Sequence, residues 1–215
     1  MSIQATNIHP LDTELLSDVF VELNNEYLTK GLNTESKFVR SLNYCGFIVQ
    51  LEYFLQNNCK AIGKLSETIP WLSQRIIFYE TDPNLKISEA VGDDRDYGAE
   101  YLDKYSVHLH RVENAIAVNN TNATLNFPLL NCNEQSVTTW YKMTKGTAVD
   151  MGYLSRTDEC NVEIIQETSL YDGQCSLMRL DRWHSVKNNS GKRRVIANWD
   201  FKYFVPWDDA VDILV

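Results

Sequence analysis

Near residue 75 the hydrophobic rhythm of this chain switches from helical to strand-like, and few architectures accept that switch. Beyond it, short runs of β-branched and aromatic residues are punctuated by turn residues. The pattern predicts strands over 75–80, 104–112, 123–130, 137–143, 161–167, 176–180, 183–188 and 193–204, as an all-β barrel or sandwich requires. Ahead of the switch, Leu15, Val19, Leu23 and Tyr27, joined by Leu16 and Phe20, form one apolar helical stripe. Asp12 and Glu14 suit its first turn, and Gly31 its stop. A second apolar-periodic stretch spans 47–55. The segment 36–44 fits a strand or a helix equally well.

No internal repeat, low-complexity tract or Gly/Ser/Pro linker marks a boundary. The expectation is therefore one domain over 1–215, of α+β class and mainly β. Residues 1–74 would be a largely helical part packed on a barrel at 75–204, with a tail at 205–215. The stretch 82–103, rich in Asp and Glu, reads as a long solvated loop, either a lid or a variable excursion.

Composition narrows the function classes. Hydrophobic residues make up 44% and charged residues 23%, as in a globular protein. No run approaches the ~20 apolar residues of a membrane span. The first fifteen residues carry no basic cluster followed by an apolar run, so no secretory signal is expected. Five scattered cysteines, never spaced C-x-x-C, point to reduced thiols in a cytoplasm. The sequons at Asn119, Asn122 and Asn188 then read as turn residues. A net charge of -9 disfavours nucleic acid and membrane surfaces as partners. Against that background, 179–194 holds six cationic side chains and one acidic, Asp181.

Four histidines are present, and three fall on predicted strands. His108 and His110 are two apart, so on a strand they share a face. Two such imidazoles can share a metal without distorting the backbone. A third ligand must come from another strand, and His184 is the candidate. Imidazole suits iron, zinc, copper and nickel alike. The segment Asn188-Asn189-Ser190-Gly191 is turn material. A hairpin there would pair the strand of His184 with that of Arg194 and set the two side chains nearly opposite. A guanidinium beside a metal ligand makes a carboxylate receptor next to a Lewis acid. Lys192 and Arg193 read as a solvated hairpin tip.

Together these residues resemble the 2-oxoglutarate- and iron(II)-dependent oxygenases, whose pattern is H-x-D/E on one strand, a distal His, and an Arg about ten residues later. Here His108-Leu109-His110 takes the first place, 76 residues before His184, and Arg194 follows ten after it. The stretches Leu125-Asn126-Phe127-Pro128-Leu129-Leu130-Asn131-Cys132 and Thr139-Trp140-Tyr141 resemble the strand pair of small phage-type and prolyl-hydroxylase-like members. The resemblance covers roughly 75–204 and implies a double-stranded β-helix, the jelly-roll or cupin-like barrel. It implies iron(II), or another divalent metal such as zinc or nickel, on His108, His110 and His184. 2-Oxoglutarate would be cosubstrate, its distal carboxylate on Arg194, with hydrogen bonds from Tyr141 or Asn126. The implied reaction hydroxylates a C–H bond of a small-molecule or peptidyl substrate. Two positions depart from the family: His110 stands for the carboxylate, and Ile196 for the Ser or Thr two after the Arg. A strand bulge would let Glu113 replace the missing carboxylate. His108-Leu109-His110 with Glu113, then His184 with Asn188, also resembles the two cupin motifs, implying a three-histidine metal dioxygenase without 2-oxoglutarate. A third reading is an inactive barrel serving as a binding or assembly module. Trp207 and the apolar end 211–215 would dock on the barrel or on a second copy in an oligomer.

Overall fold

The computed structural model describes residues 7–30, 37–40, 45–81, 108–109, 123–145, 149–151, 154–156, 161–202 and 205–214. In chain order its elements are β1 (Ile8–Pro10), α1 (Glu14–Asn24), β2 (Lys37–Arg40), β3 (Cys45–Gln50), α2 (Leu51–Gln56), α3 (Lys60–Thr68), β4 (Arg75–Thr81), β5 (His108–Leu109), β6 (Ala123–Leu130) and β7 (Ser136–Lys145). There follow β8 (Val149–Met151), β9 (Leu154–Arg156), β10 (Asn161–Ser169), β11 (Ser176–Arg179), β12 (Trp183–Asn188), β13 (Arg194–Asp200) and α4 (Trp207–Leu214). The strands build two antiparallel sheets, ordered β1-β11-β6-β13-β4-β3-β2 and β10-β7-β12-β5-β9-β8. No described helix is long and apolar enough to cross a membrane.

The order identifies the fold. Take β4, β5, β6, β7, β10, β11, β12 and β13 as strands one to eight. The first sheet then reads six, three, eight, one, and the second reads five, four, seven, two. That double Greek-key exchange between two sheets is the jelly roll, or double-stranded β-helix. β2 and β3 extend the first sheet at one edge and β1 at the other, while β8 and β9 extend the second.

Burial is continuous along β6 although its residues alternate in polarity. Its first seven residues are all buried, because the first sheet is covered on both faces. Leu125, Phe127 and Leu129 join Phe78, Trp199 and the helical residues Leu16, Val19, Leu23, Phe54 and Ile62 in one core. The alternate positions, Asn126 on β6 and Arg194, Ile196 and Asn198 on β13, face the second sheet and line a recess with His184. The largest apolar core thus lies outside the barrel, between sheet and helices, and the polar face turns into it. Pro128 is tolerated in this central strand because β11 pairs with β6 only as far as Ser176–Asn126. Beyond that the Pro128 carbonyl takes the Gly173 amide instead.

In the N-terminal part, Thr13 caps α1 by accepting the Leu16 amide, and Leu16, Val19 and Leu23 are buried as the stripe predicts. The helix runs on through a π-helical turn, Asn25–Thr29, instead of continuing regularly to Gly31. Residues 1–74 are less helical than expected: β1, β2 and β3 belong to the first sheet. The stretch 47–55 divides into the end of β3 and α2, because Ile48 and Val49 pair with Ile77 and Ile76 of β4. α3 and the pair β8–β9 have no counterpart in the sequence reading. The predicted loop at 82–103 lies outside the described residues.

The expected hairpin between 183–188 and 193–204 does not form. β12 pairs with β5 and β7, whereas β13 pairs with β4 and β6 in the other sheet. The turn between them is therefore an arch from sheet to sheet. Asn188 shapes it: its Oδ1 accepts the Ser190 amide at 3.2 Å, and its Nδ2 donates to the Lys192 carbonyl at 2.7 Å. Gly191 supplies the positive φ of 64° that the reversal needs. Asn188 Nδ2 also donates to the Thr81 carbonyl at 3.3 Å, tying β12 to the first sheet.

Candidate functional site

The recess encloses about 480 Å3 of space, counted out to its open mouth and including solvent there. Met178, Leu180, Val186 and Ile196 supply apolar wall; His184, Arg194, Asn126 and Asn198 supply polar groups.

His184 is the second residue of β12 and is 1% exposed. Its Nδ1 lies 2.7 Å from the Arg182 carbonyl oxygen. A carbonyl only accepts, so Nδ1 carries the proton, and in the neutral ring the lone pair sits on Nε2. Histidines that bind metals are oriented in this way, with one ring nitrogen donating to a carbonyl or carboxylate.

Pairing around His184 builds a row across the second sheet. His108 of β5 stands directly opposite on one side, and Trp140 of β7 on the other. Opposed positions in an antiparallel ladder share a face, with β-carbons about 4.5–5.5 Å apart. The register therefore brings His108 and His184, far apart in sequence, to neighbouring positions on one face. His110 and Glu113 lie outside the described residues. Among those described, no three His, Cys, Asp or Glu side chains gather into a metal-binding group.

Arg194 opens β13, opposite Thr81 of β4, and is 4% exposed. The arch, rather than a hairpin, brings it to the recess, so it faces His184 from the other sheet. Burial raises the pKa of the nearby Cys132 thiol, and the Arg194 guanidinium pulls it back down. Asn126 is 2% exposed and its Nδ2 has no hydrogen-bond partner.

Tyr141 is placed elsewhere. Trp140 shares the face of His184, so by alternation Tyr141 takes the opposite face, where its register partner is Trp183. There its hydroxyl is 2.8 Å from Ser185 Oγ. The structure thus brings Arg194, Asn126 and His184 together and leaves Tyr141 out. Asn198 was missed, although it stands four after Arg194 and alternation along β13 puts the two on one face. Met178 and Leu180 carry no sequence signal, since they reach the recess through strand pairing.

Arg193 is no free hairpin tip. Its Nη2 donates to Glu80 at 2.6 Å and to the Tyr27 hydroxyl at 2.5 Å, its guanidinium lies over the Tyr27 ring, and Tyr27 donates to Glu80. This group pins β4, the turn leading into β13 and the π-helical turn together on the side of the sheet away from the recess.

The imidazole of His184, with His108 opposite it in register, could ligate a divalent metal, and the buried guanidinium with the unsatisfied Asn126 amide could hold a carboxylate.

No protein-family model matches the chain, and no curated protein does either. Among solved structures, the chain is similar to the epimerase SnoN in complex with Fe3+, alpha ketoglutarate and nogalamycin RO. The TM-score there is 0.49 at 13% identity, covering 91% of this chain and 78% of that one. A Pseudomonas putida prolyl-4-hydroxylase matches at TM-score 0.45 and 10% identity, over 92% and 94% of the two chains. A Bacillus subtilis oxalate decarboxylase mutant matches at 0.35 and 8%, over 79% of this chain and 29% of that one. These likenesses concern the fold alone, which strand order establishes independently.

Proposed function

We propose that this protein is a metal-dependent oxygenase of the 2-oxoglutarate class, acting on a C–H bond of a small-molecule or peptidyl substrate. One observation carries the reading: the register sets His108 opposite His184, and Arg194 enters the same recess from the other sheet. His184 would bind the metal through Nε2, with His108 beside it and His110 as third ligand. Iron(II), when bound, would supply the redox chemistry by which O2 oxidises 2-oxoglutarate to succinate and CO2 and the substrate C–H bond to C–OH, one oxygen atom going to each product. Arg194 would hold the distal carboxylate through two parallel N–H···O bonds, the strongest geometry available to a guanidinium. Asn126 would donate to an oxygen of the same ligand. The apolar walls exclude water from the ion pair and so strengthen it.

The test uses protein purified without a polyhistidine tag. Iron(II) and 2-oxoglutarate added without oxygen should give a weak visible charge-transfer band. His184→Ala should lose it together with the metal, and Arg194→Ala should lose it while keeping the metal. Stoichiometric metal with no response to 2-oxoglutarate would instead favour the three-histidine cupin chemistry. Far less than one metal per chain would favour a binding module.

A further inference from the structure

The turn ahead of His184 is held from outside the barrel by a chain of contacts ending on the C-terminal helix. Trp207 of α4 is 5% exposed, and the Arg179 guanidinium lies over its ring at 5.7 Å. Arg179 in turn grips Asp181, with Nε to Oδ1 at 2.5 Å and Nη2 to Oδ2 at 3.3 Å. Both side chains are mostly buried, at 15% and 12% exposure, so this pair is screened far less than a surface one. From the other side Trp140, the register neighbour of His184, donates its Nε1 to the Arg179 carbonyl at 3.0 Å. Arg182, whose carbonyl accepts the hydrogen bond of His184 Nδ1–H, directly follows the gripped Asp181.

We propose that Trp207, Arg179 and Asp181 form a positioning network for His184, so that α4, remote in sequence from every ligand, sets how tightly the recess holds a metal. The inference rests on reading the recess as a metal site. Its physical basis is that groups orienting a ligating imidazole govern metal affinity almost as strongly as the ligands do. Releasing Asp181 lets the turn rotate, and the Arg182 carbonyl then no longer fixes the tautomer or the ring plane.

The experiment measures the dissociation constant of cobalt(II) for the full-length protein, from its visible absorption, with folding checked by circular dichroism. Asp181→Asn and Trp207→Leu should each weaken cobalt(II) by about 10–100-fold, in line with other orienting groups. Combining them should cost no more than the worse single change, because both act through one chain of contacts. Arg179→Lys, which keeps the charge but loses the two-pronged hold on Asp181 and the planar stacking, should recover only part of the affinity lost in Arg179→Met. Arg193→Ala, in the clamp on the far side of the first sheet, should leave cobalt(II) affinity unchanged. Asp181→Asn and Trp207→Leu within twofold of the parent would overturn the proposal, as would an equal loss in Arg193→Ala. A parent protein whose cobalt(II) binding is indifferent to His184→Ala would overturn the metal reading beneath it.

Discussion

Buried single groups in this protein are set by what surrounds them. Cys59 and Cys175 are 6% and 4% exposed, and burial pushes each thiol up to about 12, helped at Cys59 by the carboxylates of Glu26 and Glu22. In the unfolded chain both would ionise near 9.0. Below that pH both states hold the proton and the thiols are neutral to stability. Above it the unfolded state loses protons the folded state keeps, so stability falls by about 1.4 kcal/mol per pH unit per thiol. Urea unfolding followed from roughly pH 9 to 11 should show this decline, and Cys175→Val should remove one thiol's share of the slope. A slope unchanged by that substitution would contradict the assignment. At Cys132 the same burial acts against the charge of the Arg194 guanidinium, which pulls the thiol back down.

Among the elements, α3 owes its capped start to a partner remote in sequence. Its cap position, Cys59, makes no side-chain hydrogen bond to the helix. Instead Glu22 of α1 accepts the Ala61 and Ile62 amides, both at 2.9 Å, satisfying two open donors and meeting the positive helix end. Glu22→Ala should cost about 1–2 kcal/mol in chemical denaturation, the scale of losing a helix cap. Glu22→Gln should cost less, since it keeps an acceptor oxygen and loses only the charge. This explains why α1 was legible and α3 was not. α1 carries its own Thr13 cap and its own stripe, whereas the start of α3 is written 39 residues upstream. The Tyr27–Glu80–Arg193 group is likewise invisible locally. Its members come from the π-helical turn, from β4 and from the turn just ahead of β13, and Arg193 considered alone is just one more cation in that turn.

The whole molecule separates stability from site by layers. Its largest core sits between the first sheet and the helices, and the opposite face of that sheet is left to the recess. Phe127→Ala, on the core side, should lower unfolding free energy by about 3–5 kcal/mol. Asn126→Leu, the adjacent position on the recess side, should be neutral or stabilising, because it removes a buried donor with no partner. Equal losses at the two positions would show that the layers do not divide these roles. This layering also explains why β6 is buried from Ala123 to Leu129 although polar residues alternate along it: both of its faces are covered, by different partners.

Most strands of the barrel were legible because alternation and turn residues are local properties, and 123–130 and 183–188 match the observed strands end for end. The candidate site was legible as a list of residues, His108, His184 and Arg194, whose types and spacing are written in the chain. Which faces meet was not. Local chemistry at Asn188 and Gly191 specifies a reversal, but whether it makes a hairpin or an arch depends on which distant strands hydrogen-bond β12 and β13. Those partners also decide that Tyr141 faces away and Asn198 faces in. Strand pairing is a contest among non-local donors and acceptors, and only the assembled sheets settle it.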